Sequence, residues 1–218
     1  MDQGYYRYAA IAGDRIVFVC EDDLWWVPLG GGNAIRLTAT PGLCSTPRIS
    51  PDGKQIAFIA NDEGHPELYV IPAEGGSPRR LSYLGGTLAA ACTWSADGRE
   101  IFFVSNPNAW YARETRGFAM PPEGGAPREL QLGHMKSVFP GPGNAMVIGR
   151  NETDPARWKR YRGGTSGEVW IDREGNGEFK KLALPDGNTV WPMWIGDRIY
   201  FLADHEGIGN IYSVTVEG

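Results

Sequence analysis

The sequence is poor in cysteine and in positive charge. Only three cysteines, Cys20, Cys44 and Cys92, occur in 218 residues, and their spacing matches neither a disulfide framework nor a Cys-x-x-Cys metal site. We therefore expect three small buried thiols in a reducing compartment. The formal net charge is −5, which offers no basic surface for nucleic acid or for a membrane.

Long apolar runs are also missing. No stretch approaches the roughly 20 apolar residues that a membrane-spanning helix needs. Residues 1–5 are polar and lack the apolar segment of a secretory signal. We expect a cytoplasmic protein with no membrane partner. No stretch keeps the period of an amphipathic helix, so the elements are expected to be strands.

A repeated unit is present instead. Its clearest copy opens with the turn Ser50-Pro51-Asp52-Gly53, in which proline and glycine suit the two special backbone positions. Apolar strands follow at 55–60 and 67–72. A glycine-containing turn at 73–76 then leads to a short polar strand at 77–81, as expected for an exposed outer edge.

The repeat interval predicts the architecture. The second strands of successive units are anchored at Ile16, Ile56, Ile101, Met146 and Ile199, at intervals of 40, 45, 45 and 53 residues. Intervals of about 40–50 residues with four short strands are typical of a propeller blade. We predict an all-β chain, a β-propeller of four-stranded antiparallel blades. Its blades are expected at approximately 5–40, 45–83, 90–132, 136–184 and, incomplete, 190–218.

The last repeat ends early. Residues 214–218 lie where the outer strand of a fifth blade should begin, so about four and a half blades are expected. The sequence is therefore expected to be part of a longer protein, with an open sheet edge that favours association. A closed four-bladed ring with an additional hairpin, or a set of unrelated hairpins, would also account for these strands.

Several segments resemble a known family. The Ser-Pro-Asp-Gly turn followed by an Ile-Ala-Phe strand is similar to the repeat of TolB-like and prolyl-oligopeptidase-like propellers. Three further segments resemble the tricorn protease family more specifically: Gly13 to Trp25, Gly149 to Ile171 and Gly196 to Tyr212. The resemblance spans nearly the whole chain in order.

The resemblance implies a function. Tricorn proteases are large cytoplasmic serine peptidases, and this chain would be most of their first, six-bladed propeller. The family's propellers act as channels and size filters for short peptides, and the whole protein forms homo-hexamers. Expected partners are therefore short peptides, the remaining domains of the parent protein and further copies of it. The alternative is a TolB-like propeller that serves as a protein-interaction scaffold unconnected with proteolysis.

One segment departs from the family pattern. In well-known members, two adjacent arginines before the inner strand of the third blade anchor the carboxylate of the substrate. The corresponding segment here, 85–92, contains no basic residue. Arg79 and Arg80 lie in a predicted outer strand, so the role is not reassigned to them.

A basic run with interleaved aromatic residues is the main candidate for peptide binding. Its basic members are Arg150, Arg157, Lys159, Arg160 and Arg162, and the aromatic ones are Trp158 and Tyr161. In one interpretation, these residues form a surface that binds the terminal carboxylate or the acidic side chains of a peptide. The other is an insertion whose aromatic rings pack on a blade while its arginines bind loop carbonyls and carboxylates.

No catalytic or cofactor-binding motif accompanies these residues. A Gly-x-Ser-x-Gly elbow and a phosphate-binding loop are absent. His65 and His205 occupy similar hairpin positions in their repeats, which favours a structural role, and His134 stands alone. The acidic run Glu21-Asp22-Asp23 is expected to be a solvated or backbone-bonding turn rather than a cation site. We therefore expect no catalytic residue, no metal and no cofactor.

Because no nucleophile and base are expected together, the 218-residue chain should show a β-rich far-ultraviolet circular dichroism spectrum and no peptidase activity. A panel of short fluorogenic peptides incubated with the pure chain measures this. Specific hydrolysis that survives repurification would contradict the non-catalytic interpretation.

Overall fold

The computed structural model describes residues 4–87, 89–111, 113–152 and 163–217. These residues form five antiparallel sheets and no helix, so they include no helical segment able to span a membrane. In every sheet the strands are hydrogen-bonded in chain order. We number the sheets as blades one to five.

The first three blades have four strands each. Blade one contains β1 (Arg7–Ala12), β2 (Arg15–Cys20), β3 (Asp23–Pro28) and β4 (Ile35–Arg36). Blade two contains β5 (Cys44–Ile49), β6 (Gln55–Ala60), β7 (Glu67–Pro72) and β8 (Arg79–Arg80). Blade three contains β9 (Ala89–Trp94), β10 (Ile101–Ser105), β11 (Arg116–Met120) and β12 (Arg128–His134).

The last two blades differ in strand number. Blade four contains β13 (Ser137–Pro140), β14 (Met146–Arg150), β15 (Glu168–Asp172) and β16 (Lys180–Lys181). Blade five contains β17 (Thr189–Ile195), β18 (Arg198–Ala203) and β19 (Asn210–Thr215). The prediction of antiparallel blades is confirmed, but the count of four and a half is corrected to five. The three strands of blade five pair along most of their length and so form a sheet of their own.

The chain divides into two compact units, residues 1–130 and 131–218. In the first unit, β6 shows how the core is built. Ile56, Phe58 and Ala60 pack in a cluster with blade one, whereas Ala57 and Ile59 pack in a second cluster with blade three. Successive side chains of a strand point to opposite faces, so a continuous apolar run fits a strand covered on both faces.

The second unit has one apolar cluster between its two sheets. Val147, Val169 and Ile171 of blade four pack with Ile199 and Phe201 of blade five, all at 4% exposure or less. Burying one such large side chain contributes about 1.5–3 kcal/mol, so these facing rows are the main stabilising contact of the unit.

The predicted Ser-x-Asp-Gly turns have one geometry in both copies. Ser50 Oγ donates to Asp52 Oδ1 at 2.6 Å and accepts the Gln55 amide at 2.9 Å. Ser95 and Asp97 repeat these bonds in blade three. The serine hydroxyl and a backbone amide stabilise each aspartate's ionised form, which lowers the pKa of Asp52 and of Asp97. The local sequence thus determines the turn.

The three cysteines are buried and free, as the sequence predicts. Cys92 of β9 donates through Sγ to the Thr46 carbonyl of β5 at 2.8 Å, and burial raises the pKa of its thiol to about 11. The thiol therefore serves as a small packing and hydrogen-bonding group.

A cross-strand ion pair recurs in every four-stranded blade. The third and outer strands place opposite charges thirteen residues apart in the sequence, and the four pairs are Asp23–Arg36, Glu67–Arg80, Arg116–Glu129 and Glu168–Lys181. The acidic partner precedes the basic one in blades one, two and four. In blade three the order is reversed.

The acidic members in blades one and two are deeply buried. Glu67, 1% exposed, accepts the hydroxyl of Ser82 and the backbone amide of Gly85 at 2.7 Å. Asp23, 3% exposed, accepts the Thr38 hydroxyl at 2.6 Å. Of the two alternatives expected for Asp23, solvated or backbone-bonding, the second describes it: the carboxylate is buried and also accepts the Thr40 amide at 3.4 Å, because the chain leaving the outer strand covers it and supplies its donors.

We expect Ser82→Ala to lower the free energy of unfolding by about 1–3 kcal/mol, because a buried carboxylate and the Leu68 amide each lose a partner. Chemical denaturation measures the change. Ser77→Ala, at an exposed position in the turn before β8, is the matched control and should change little. Equal effects of the two substitutions would contradict a stabilising role for the Glu67 network.

Candidate functional site

The first strand of each blade is the innermost one. β1 contacts β5 and β5 contacts β9 in the first unit, and β13 contacts β17 in the second. In a propeller, blades are arranged around a central channel, and the strands in this position border it. Side chains on these strands are therefore the first candidates for contact with a molecule in the channel.

Several innermost strands contain a β-bulge at the same place. Tyr8 of β1, Thr46 of β5 and Trp191 of β17 all have positive φ, between 46° and 53°, and the strand register shifts at each of them. Tyr8 and Trp191 are about half exposed. Left-handed backbone at a non-glycine residue is strained, and bulges redirect side chains near functional sites.

A single carboxylate binds the bulge of β17. Glu152 Oε1 accepts the backbone amide of Trp191 at 2.7 Å and the hydroxyl of Ser137, in β13, at the same distance. It thereby bridges the innermost strands of blades four and five. The bulge frees the Trp191 amide from the strand ladder, and the carboxylate satisfies it.

Glu152 has an unusual protonation equilibrium. Burial raises the pKa of its carboxyl to about 7, while the Ser137 hydroxyl, the Trp191 amide and the charge of Lys136 oppose the shift. A carboxyl that titrates near neutrality can exchange a proton or accept a cationic group under ordinary conditions.

Gly149 makes room for this carboxyl. A Cβ atom at Gly149 would overlap the Glu152 carboxyl group and come within 2.5 Å of Ser137 Oγ. Glu152 is not recognisable from the sequence, because a single acidic residue next to a basic run forms no motif. The only local feature that points to Glu152 is Gly149, three positions earlier. Its role can be recognised only from the packing, which shows that a side chain there would overlap the carboxyl group.

Of the residues predicted to bind peptides, Arg150 lies within the described part of the chain. Its guanidinium lies over the Trp170 ring, 4.9 Å from the centroid, and donates to the Leu132 carbonyl at 3.0 Å. Nε is buried without a hydrogen-bond partner. Both contacts belong to the fold of the second unit, as in the structural interpretation of the basic run.

The other members of the basic run, Arg157, Lys159, Arg160 and Arg162, lie outside the described residues. Their part in peptide binding stays a prediction from the sequence.

The histidines lie apart from one another in the strand order. His65 is exposed in the β6–β7 hairpin, and His134 is the last residue of β12. The His205 ring lies 4.2 Å from that of Tyr212, whose hydroxyl donates to Glu206 at 2.8 Å. Within the described ranges, no three His, Cys, Asp or Glu side chains are grouped to hold a metal ion.

Arg79 and Arg80 lie in β8, the outer strand of blade two. Arg79 donates to the carbonyls of Pro122 and Glu123, and Arg80 pairs with Glu63 and Glu67. These arginines connect outer segments of blades two and three, which agrees with not assigning them to substrate binding.

Antiparallel sheets of three or four strands, hydrogen-bonded in chain order and packed face to face within each unit, are the blades of a β-propeller segment. A family model described as the tricorn protease N-terminal β-propeller domain matches residues 3–218. The chain belongs to this family.

Similar proteins agree with the assignment. The tricorn protease homolog 1 of Streptomyces coelicolor is 41% identical over 215 residues, which are 98% of this chain and 20% of that protein. The crystal structure of the tricorn protease is 30% identical and superposes with a TM-score of 0.86, covering 99% of this chain and 22% of that one. TolB from Acinetobacter baumannii has a TM-score of 0.67 over 98% of this chain and 55% of its own, at 17% identity, which shows the fold alone.

The chain thus spans about a fifth of the length of its tricorn relatives. It corresponds to their N-terminal propeller.

The Glu152 carboxyl predicts a pH effect on stability. Its pKa is about 7 in the folded state against an ordinary value of 4.5, so its favourable contribution is complete below about pH 4.5 and is lost as the pH rises through about 7. Glu152→Gln should remove this fall in the free energy of unfolding, measured by denaturation across that range.

Glu168→Gln is the matched control for the pH experiment. Lys181 lowers the pKa of Glu168, so that carboxylate contributes stability at high pH that is lost on acidification. The two variants should therefore change the pH profile in opposite directions. A profile unchanged by Glu152→Gln would contradict the assignment.

Proposed function

We propose that this chain acts as a non-catalytic channel and size filter, which admits short peptides to, or releases them from, a catalytic domain elsewhere in the same protein. Family membership over residues 3–218 carries the proposal. The parent protein would be a tricorn-type serine peptidase of the cytoplasm, and this segment would restrict access rather than perform chemistry.

The innermost strands support a role in passage. Ala9 of β1 is exposed beside the Tyr8 bulge, and Trp191 is exposed in β17. In the second unit, the exposed Trp191 ring and the Glu152 carboxyl that binds its amide suit an extended peptide that passes without being held tightly. Strong anchoring by adjacent arginines is not expected from 85–92, since that segment has no basic residue.

A protein-interaction scaffold of the TolB kind is the less supported alternative. That alternative rests on a similar fold at 17% sequence identity. The tricorn protease homolog 1 of Streptomyces coelicolor, in contrast, is 41% identical in sequence over almost the whole chain. We propose that the remaining protease domains and further copies of the protein are partners of this segment, as a hexamer would require.

A narrower channel should reduce the hydrolysis of long peptides more than that of short ones. In the full-length protein, Ala9→Trp is expected to lower kcat/KM several-fold for long fluorogenic peptides and to leave the shortest ones nearly unchanged, because bulk on an innermost strand obstructs passage. Ile35→Trp, at an exposed position of the outer strand β4, is the matched control. Equal losses for all peptide lengths, or equal effects of both variants, would contradict the channel.

A further inference from the structure

The hairpin between the second and third strands of blade three differs from its counterparts in the same unit. It spans residues 106–115, whereas those of blades one and two span 21–22 and 61–66. The ion pair at its base, Arg116–Glu129, is the reversed one. An arginine therefore stands where blades one and two bury a carboxylate.

The longer hairpin borders a cavity of about 270 Å³ that is open to solvent. Buried Phe118, packed against Phe103, forms an apolar wall, and Asn106, 5% exposed, forms a polar one. Trp110 contributes to the lining with 93% of its surface exposed. Such an exposed tryptophan beside a cavity is unusual, because tryptophan is rarely left uncovered and dominates many binding surfaces.

The charges around the cavity are unequal. Arg116 contacts Oε1 of Glu129 and Oε1 of Glu114, each at 3.2 Å. Among the side chains that line the cavity, one guanidinium thus faces two carboxylates. The carboxylates are 28% and 36% exposed, so a second cation can approach their outer oxygens.

We propose that this cavity binds an arginine side chain of a polypeptide. A planar guanidinium matches a carboxylate through two parallel hydrogen bonds and stacks on an indole face. The cavity is far larger than a metal ion needs. The hairpin lies between the second and third strands, and Asn106 at its start donates to Thr87, just before β9, at 2.9 Å. The proposal rests on the side chains around the cavity and does not require the proposed channel.

The test uses a fluorescent pentapeptide, Gly-Gly-Arg-Gly-Gly, with both ends blocked so that no terminal charge takes part. Its glutamine counterpart is the comparison. Fluorescence anisotropy with the purified protein should show binding of the arginine peptide several-fold tighter than that of the glutamine peptide, and the difference should shrink with salt. Equal binding of the two peptides would overturn the proposal.

Two variants locate the site. Trp110→Ala should weaken binding of the arginine peptide about three- to tenfold through loss of the cation–π contact, and Glu114→Gln should reduce the preference for arginine over glutamine. Tyr5→Ala, which removes an aromatic ring 77% exposed in the segment before β1, is the control and should leave binding unchanged. Arginine-selective binding that persists in both Trp110→Ala and Glu114→Gln would place the ligand elsewhere and overturn the assignment.

Discussion

The packing of apolar rows on both faces of the central strands is the contact on which the rest of the structure depends. A single four-stranded sheet of this size leaves two apolar faces exposed to water, and the short outer strands cannot cover them. In β6 the alternate residues Phe58 and Ile59 lie in different clusters, one on each side. Blade two is therefore stable only between its neighbours. The same packing determines where the innermost strands, and the side chains on them, lie.

Polar networks then determine where each blade ends. An ion pair across thirteen residues connects the third and outer strands, and in blades one and two its buried carboxylate also binds the chain on its way to the next blade. In blade three this arrangement is reversed at Arg116 and Glu129, and the hairpin between the second and third strands is longer than those of blades one and two. The same ion pair lines the cavity that we propose to bind an arginine side chain.

Much of the fold was predictable because its signals are local. The Ser50–Gly53 turn is defined by its own side-chain and backbone bonds, and the repeat interval required several similar sheets. The functional residues were less predictable. Glu152 became recognisable only when Ser137 and the Trp191 amide were found on the same carboxylate oxygen, and those residues are far apart in the sequence. Arg150, predicted for peptide binding, is bound to Leu132 and Trp170 within the fold.

The sequence by itself determined the fold class, the blade repeat, the burial of the cysteines and the family. The reason is that turns, strands and repeated motifs are each formed by residues that are consecutive in the chain. Only the tertiary structure decided which charges are buried, as at Asp23, and where the strained bulges lie. It also raised the pKa of Glu152 and placed Trp110 and two carboxylates around one cavity. The physical reason is that desolvation and hydrogen bonding depend on neighbours from other strands, which no local pattern specifies.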